Sequence, residues 1–164
     1  MGESVGALVN AWAAYYSDHQ MVSLAIRYLH IAALMIGGGT ALAIDRVVLG
    51  TARRATDDRR HAAMQALAGS HTVVVPSLVV VTLSGVLMTA ADWGTFQAST
   101  LFWIKMGLFA VLLINGGLLV AAERRYASAG ADVAKWRRVI AVSGASVVLW
   151  LVILWIGEWL TVAA

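Results

Sequence analysis

The sequence predicts an all-α fold: an integral membrane four-helix transmembrane bundle with a short amphipathic N-terminal segment. Of its 164 residues, 60% are hydrophobic and only 13% are charged, with a mean hydropathy of +0.78. Soluble domains have about 45–50% apolar and about 25% charged residues, so the composition indicates a membrane protein. Four apolar stretches are also long enough to cross the ~30 Å hydrocarbon core, which requires about 20 helical residues.

The N-terminal segment, from about residue 3 to 18, precedes the first of these stretches. Its larger apolar and aromatic side chains recur every three to four residues, which is typical of an amphipathic helix lying in the membrane interface. These side chains belong to Val5, Leu8, Val9, Trp12, Tyr15 and Tyr16.

Four predicted membrane spans follow, and together they account for most of the chain. Pro76 in the second span frees a backbone carbonyl, which a membrane bundle tolerates when neighbouring groups satisfy it. Lys105 is the only charged residue of the third span. We interpret residues 1–164 as a single transmembrane domain. The spans cover residues of about 22–49, 70–90, 100–122 and 139–160.

The basic residues predict the orientation of the spans, because cytoplasmic loops are enriched in lysine and arginine. The first and third loops are basic, whereas the second contains Asp92 and neither lysine nor arginine. We therefore expect a multi-pass protein of the inner (plasma) membrane, with both termini on the non-cytoplasmic side. The basic residues are Arg53, Arg54, Arg59 and Arg60 in the first loop, and Arg124, Arg125, Lys135, Arg137 and Arg138 in the third. An aromatic belt at the opposite end would consist of Trp93, Trp103, Trp155 and Trp159.

Several function classes are excluded by what the sequence lacks. It contains no cysteine, which excludes disulfides, thiolate metal sites and cysteine nucleophiles. Its net charge is +3, and most of its basic residues lie in two loops between apolar stretches. This distribution is typical of membrane topology and not of nucleic-acid binding. Hydrolase, metalloprotease and phosphate-loop motifs are also missing, so the sequence identifies no catalytic residue.

His30 is the most informative polar residue, because it lies inside an otherwise uncharged span. At 1.5 Å per residue, it would lie ~10 Å below the outer end of the first span, and Lys105 ~8 Å below the outer end of the third. Arg27 precedes His30 by one turn and shares its helix face. His30 is either a packing histidine or a cofactor or metal ligand. Lys105 either snorkels to the interface or points inward, toward Glu158 or a ligand carboxylate.

Four further polar residues are candidates of lower rank. Glu158 ends the fourth span near the outer interface, and Asn115 lies near the middle of the third span. His71 begins the second span at the inner end, where it is expected to pair with Asp45. A haem shared between His30 and His71 is rejected, because their predicted depths differ by roughly 20 Å. His19 precedes the first span and is considered as a second outer ligand beside His30.

Glycines are frequent in the spans, and two interpretations of them stay open. Small residues allow membrane helices to pack closely. Alternatively, they leave room for a flat macrocycle between helices. The glycines concerned are Gly37, Gly38, Gly39, Gly85, Gly107, Gly116, Gly117 and Gly144.

Two stretches resemble one group of bacterial inner-membrane proteins. Leu29-His30-Ile31 followed by Gly37-Gly38-Gly39 resembles the first helix of copper-resistance D (CopD) membrane domains and of the related HemJ-type protoporphyrinogen oxidases. Phe102-Trp103-Ile104-Lys105-Met106-Gly107-Leu108, then Asn115 and Arg124-Arg125, resembles the third helix of the same group. The resemblance implies that His30 is a ligand of b-type haem or of copper, and that Lys105 anchors an anionic group.

The leading hypothesis is a haem-binding or redox-associated membrane protein with a pocket around His30 in the outer half of the bundle. Lys105 and Arg27 would then hold the haem propionates. A CopD-type transporter of copper or a small substrate is the second hypothesis. The third is a non-catalytic accessory subunit of a larger membrane complex, and a homo-oligomer is also considered. The lipid bilayer is the one partner that all three share.

Overall fold

The computed structural model describes residues 2–52, 56–128 and 132–163. Arg53 and Arg54 of the first basic loop lie outside the described residues. The elements are α1 (Gly2–Asp18), α2 (Gln20–Ala33), a π-helical turn (Leu34–Gly38), α3 (Gly39–Gly50), α4 (Asp57–Ala91), α5 (Trp93–Ala98), α6 (Thr100–Ala127) and α7 (Val133–Ala163).

Four helices in the described part of the chain are long and apolar enough to cross a membrane. The first is continuous from α2 through the π turn to α3, and the other three are α4, α6 and α7. Many of their large apolar side chains are exposed on the outer surface of the bundle, as expected of helices surrounded by lipid. The prediction of an all-α, four-helix membrane bundle is confirmed. The candidate spans are Gln20–Gly50, Asp57–Ala91, Thr100–Ala127 and Val133–Leu160.

Helix α4 begins at Asp57, well before the predicted span that starts near residue 70. The side chain of Thr56 caps it by accepting a hydrogen bond from the Arg59 amide. Asp57 and Asp58 lie in the first turn, where carboxylates interact favourably with the helix dipole. Hydropathy predicts only the part of a helix that lies in hydrocarbon, so this polar extension belongs to the same helix but not to the predicted span.

The N-terminal segment forms helix α1, which packs against the C-terminal part of α4. The indole nitrogen of Trp12 donates a hydrogen bond of 2.8 Å to the Leu87 carbonyl. Leu87 lies within the last two turns of α4. Trp12 therefore attaches α1 to one particular end of the bundle.

The two ends of the bundle differ in charge. We call the end that carries α1, α5 and the C-terminal part of α7 the α5 end, and the opposite end the basic end. The described arginines at both connections of the basic end lie in the helix ends that flank them. These arginines are Arg59, Arg60, Arg124, Arg125, Arg137 and Arg138. A core cluster at the same end includes Val48, Leu67, Trp136 and Val139.

The helices pack in the order α4, α2–α3, α7, α6. The α2–α3 helix contacts α4 on one side and α7 on the other, and α6 packs along α7. Within the described residues, α4 and α6 do not pack along their lengths, so the ring of four helices stays open between them.

The three consecutive glycines have different surroundings, although they look equivalent in the sequence. A Cβ atom on Gly37 would overlap the Ser77 side chain of α4. A Cβ on Gly38 would come within 3.1 Å of the Trp150 ring of α7, whereas one on Gly39 would meet nothing within 4 Å. Gly37 and Gly38 also lie in the π-helical turn, whose extra residue changes the phase of the helix. On the C-terminal side of this turn, Asp45 of α3 faces α7. On its N-terminal side, His30 of α2 faces α4.

Candidate functional site

His30 faces protein and not lipid. Its Nδ1 atom lies 2.9 Å from the Ser84 hydroxyl oxygen of α4. A Cβ on Gly85 would come within 3.4 Å of the His30 Cε1 atom, so the ring lies against the glycine surface beside Ser84. Ser84 is 5% exposed and His30 is half-buried. The α2–α4 interface therefore fixes the position and orientation of the imidazole.

The hydrogen bonds of Ser84 indicate which ring nitrogen of His30 carries the proton. The Ser84 hydroxyl lies 2.5 Å from the Val80 carbonyl, to which it donates its single hydrogen. With that hydrogen directed to a backbone carbonyl, the hydroxyl is left to accept from His30, and we infer that a neutral ring carries its proton on Nδ1. The lone pair of that ring lies on Nε2. This is the arrangement of a metal-ligating histidine, whose other ring nitrogen donates to a second group.

Lys105 points toward protein at the same end of the bundle. Its Nζ atom would lie 3.2 Å from a Cβ placed on Gly157 of α7, so the ammonium packs against the α7 backbone. Lys105 is half-buried. The side chain of Lys105 therefore points inward, toward α7, and does not extend outward to the membrane interface. Glu158 follows Gly157 and is exposed near the end of α7.

Arg27 and His19 both contact aromatic residues of α1. The Arg27 Nε atom donates to the Tyr16 hydroxyl at 3.3 Å, and the guanidinium carbon lies 6.0 Å from the Tyr16 ring centre. His19 stacks on Tyr15 with 4.0 Å between ring centres, and its Nδ1 lies 2.9 Å from the Tyr15 carbonyl.

The idea that His19 joins His30 as a second ligand does not fit this geometry. The two residues are separated by almost the whole of α2, which corresponds to about 16 Å along a regular helix. Among the described residues, no group of three or more histidine, aspartate or glutamate side chains could hold a metal ion. A cofactor at this end would therefore depend on His30 alone among the histidines.

His71 pairs with a different carboxylate from the one predicted. Its Nε2 atom lies 2.8 Å from an oxygen of Glu123 on α6, so the expected pair with Asp45 is wrong. Depth along the span was estimated correctly, but depth does not determine which face of the helix a side chain occupies. His71 and Ser84 lie on the same helix α4, about 20 Å apart along it, so His71 is also distant from His30.

Asn115 links two helices away from the His30 site. Its side-chain amide donates a 3.2 Å hydrogen bond to the Val142 carbonyl of α7. It is 7% exposed, and an interhelical hydrogen bond of this kind contributes about 0.6–1.7 kcal/mol in a membrane protein. We therefore assign Asn115 to packing of α6 against α7.

The His71–Glu123 pair links α4 to α6, two helices that lie apart over most of their lengths. Both side chains are largely withdrawn from the surface, with exposed fractions of 30% and 16%. Replacing both residues by alanine, singly and together, is expected to give a coupling energy of about 1.5–3 kcal/mol, as for a hydrogen bond to a charged group. The free energy of unfolding in detergent measures it.

The exposed pair of Lys135 and Asp132, 4.0 Å apart, is the control. It should give a coupling energy of no more than about 1 kcal/mol, because solvent screens surface ion pairs. Equal coupling energies for the two pairs would show that the His71–Glu123 contact does not stabilise the association of α4 with α6.

Sequence reasoning did not identify Asp45 as a site residue in its own right. Its side chain is 2% exposed, with the hydroxyls of Ser143 and Ser146 of α7 beside it. Ser143 and Ser146 are separated by three residues and share one helix face, which is the signal that could have found them. Their partner Asp45 lies on another helix, so the complete group depends on the tertiary packing of α3 against α7.

The chain was compared with families, characterised proteins and experimental structures. No family model matches it, and neither a curated protein nor a solved structure shows significant similarity. The resemblance to the CopD and HemJ group therefore rests on the residues quoted above.

Proposed function

We propose that this protein is a haem-binding, redox-associated membrane protein in which His30 Nε2 would bind the iron. One observation carries the proposal: Ser84 engages Nδ1 and thereby directs the lone pair of the neutral ring to Nε2. An imidazole inside a membrane span is otherwise costly, and its burial against α4 favours a function over surface solvation.

The other side chains at the α5 end suit the carboxylates of b-type haem. Lys105 brings a half-buried ammonium to the same end, and a charge-assisted hydrogen bond to a propionate would satisfy it. Arg27 uses Nε for Tyr16, and its two terminal nitrogens remain able to donate to a carboxylate near the interface. Bound haem would supply one-electron chemistry, whereas these residues would bind and orient it.

We further propose that the basic end faces the cytoplasm of the inner (plasma) membrane. The arginines of the two connections at that end support this orientation through the positive-inside rule. Exposed tryptophans at the α5 end, including Trp103 at 53% and Trp155 at 66%, suit the opposite interface. The His30 site and both termini would then lie on the non-cytoplasmic side.

Titration of the purified protein with haem tests the proposed function. In detergent, we expect saturable binding at one haem per chain, with a Soret band shifted from that of haem in empty micelles. A parallel titration with Cu(I) tests whether the same protein binds copper through His30. Copper binding without haem binding would replace this proposal by the copper hypothesis. Absence of saturable binding in both titrations would overturn a cofactor role for His30.

A further inference from the structure

A cleft lies between α4 and α6, in the gap where these two helices do not pack. Its volume is about 570 Å³, within the roughly 300–1,000 Å³ range of small-molecule sites. Its walls are almost entirely apolar, with Val75, Leu78 and Leu112 among them. The cleft is therefore far larger than a proton or a bare metal ion requires, and its walls suit an organic molecule.

Two glycines on α6 help to create this space. Gly116 and Gly117 line the cleft, and a Cβ atom on either would meet nothing within 4 Å. Residues of both helices that line the cleft remain exposed, including Leu83 at 61% and Leu113 at 45%. Of the two interpretations of the glycines, these two fit the one in which small residues leave room between helices.

The floor of the cleft contains one carboxylate that lacks a full set of partners. Asp45 lines the cleft, is 2% exposed, and its Oδ2 atom has no hydrogen-bond partner among the described residues. The Ser143 hydroxyl beside it is fully buried and likewise has no partner there. A carboxylate with one unpartnered oxygen and no counter-ion is costly inside a membrane protein when it is charged, and a bound cation would offset that cost.

The protein itself supplies no cation to Asp45 in the described residues. The three ion pairs found there involve other carboxylates, and His71, which also lines the cleft, is paired with Glu123. Arg46 follows Asp45 in the chain but is exposed on the outside of α3. The charge complementarity of the cleft therefore favours a positively charged ligand and disfavours an anionic one.

We propose that the cleft between α4 and α6 binds a lipophilic organic cation, with its charge near Asp45 and its apolar groups between the two helices. The serine hydroxyls beside Asp45 hydrogen-bond its carboxylate. The site is separate from His30, because neither His30 nor Ser84 lines the cleft and Asp45 lies about 22 Å farther along the first span than His30.

Binding of tetraphenylphosphonium tests this proposal, with tetraphenylborate as a control of the same shape and opposite charge. Equilibrium dialysis is performed on the full chain in lipid nanodiscs, and binding to empty nanodiscs is subtracted. We expect saturable binding of the cation at least about tenfold tighter than that of the anion, the affinity ratio that corresponds to about 1.4 kcal/mol. Equal protein-dependent binding of both ions would overturn the proposal.

Two variants locate the site. Asp45→Asn preserves the shape of the side chain and should weaken cation binding at least about tenfold, whereas Asp92→Asn removes an exposed carboxylate and should leave it unchanged. Gly117→Leu should block the cleft without contacting the core, so it tests the site even where Asp45→Asn fails to fold. Unchanged binding in folded Asp45→Asn or in Gly117→Leu would show that the cation binds elsewhere.

Discussion

Haem affinity is expected to fall by at least about 100-fold when His30 is replaced by glycine, because the variant would lack the proposed iron ligand and not merely a supporting group. His19→Gly is the matched control, since it removes an imidazole held against Tyr15 instead of Ser84. Added imidazole should restore the Soret band of His30→Gly, which a purely structural role for His30 would not allow. Equal loss of haem in both variants would contradict ligation by His30.

The same assignment gives Ser84 a measurable role. Ser84→Ala removes the acceptor that holds the proton on His30 Nδ1, and loss of such a supporting group typically costs about 10–100-fold in metal affinity. The variant should therefore retain haem, but more weakly than the wild type and more tightly than His30→Gly. Wild-type affinity in Ser84→Ala would show that the hydrogen bond does not orient the ring for ligation.

The spans could be predicted because the bilayer imposes a simple requirement on sequence. Each must satisfy its backbone hydrogen bonds internally and present apolar side chains over about 20 residues. Hydropathy therefore indicated the four helices. It could not indicate that α4 starts at Asp57, because that extension is polar and depends on the Thr56 cap.

The site was only partly predictable, for a geometric reason. Sequence position gives depth along a helix, and depth correctly separated His30 from His71. The direction in which a side chain points around the helix axis decides which residues it contacts. The π-helical turn at Leu34–Gly38 changes this direction between His30 and Asp45. Ser84 as the partner of His30, Glu123 as the partner of His71, and the gap between α4 and α6 all depend on helix packing.

That packing makes one glycine far more sensitive than its neighbour. Gly37→Ala is expected to lower the free energy of unfolding by about 1–3 kcal/mol, because the new methyl group would overlap the Ser77 side chain and force α4 away. Gly39→Ala adds the same methyl group where it meets nothing, so it should be neutral or slightly stabilising. Thermal and denaturant unfolding in detergent measure both.

A second substitution in α4 tests the cause of the effect. Ser77→Gly removes the atoms that the Gly37→Ala methyl group would overlap, so the double variant should be more stable than Gly37→Ala alone. Ser77→Gly by itself should cost about 1 kcal/mol, since glycine is unfavourable inside a helix. The rescue therefore appears as a non-additive effect, which contacting residues show and distant ones do not. The approach of α2–α3 to α4 at Gly37 would be contradicted if the losses in free energy of unfolding from Gly37→Ala and Ser77→Gly simply added in the double variant. Equal losses for Gly37→Ala and Gly39→Ala would contradict it too. In either case the helix register that aligns His30 with Ser84 would also be wrong.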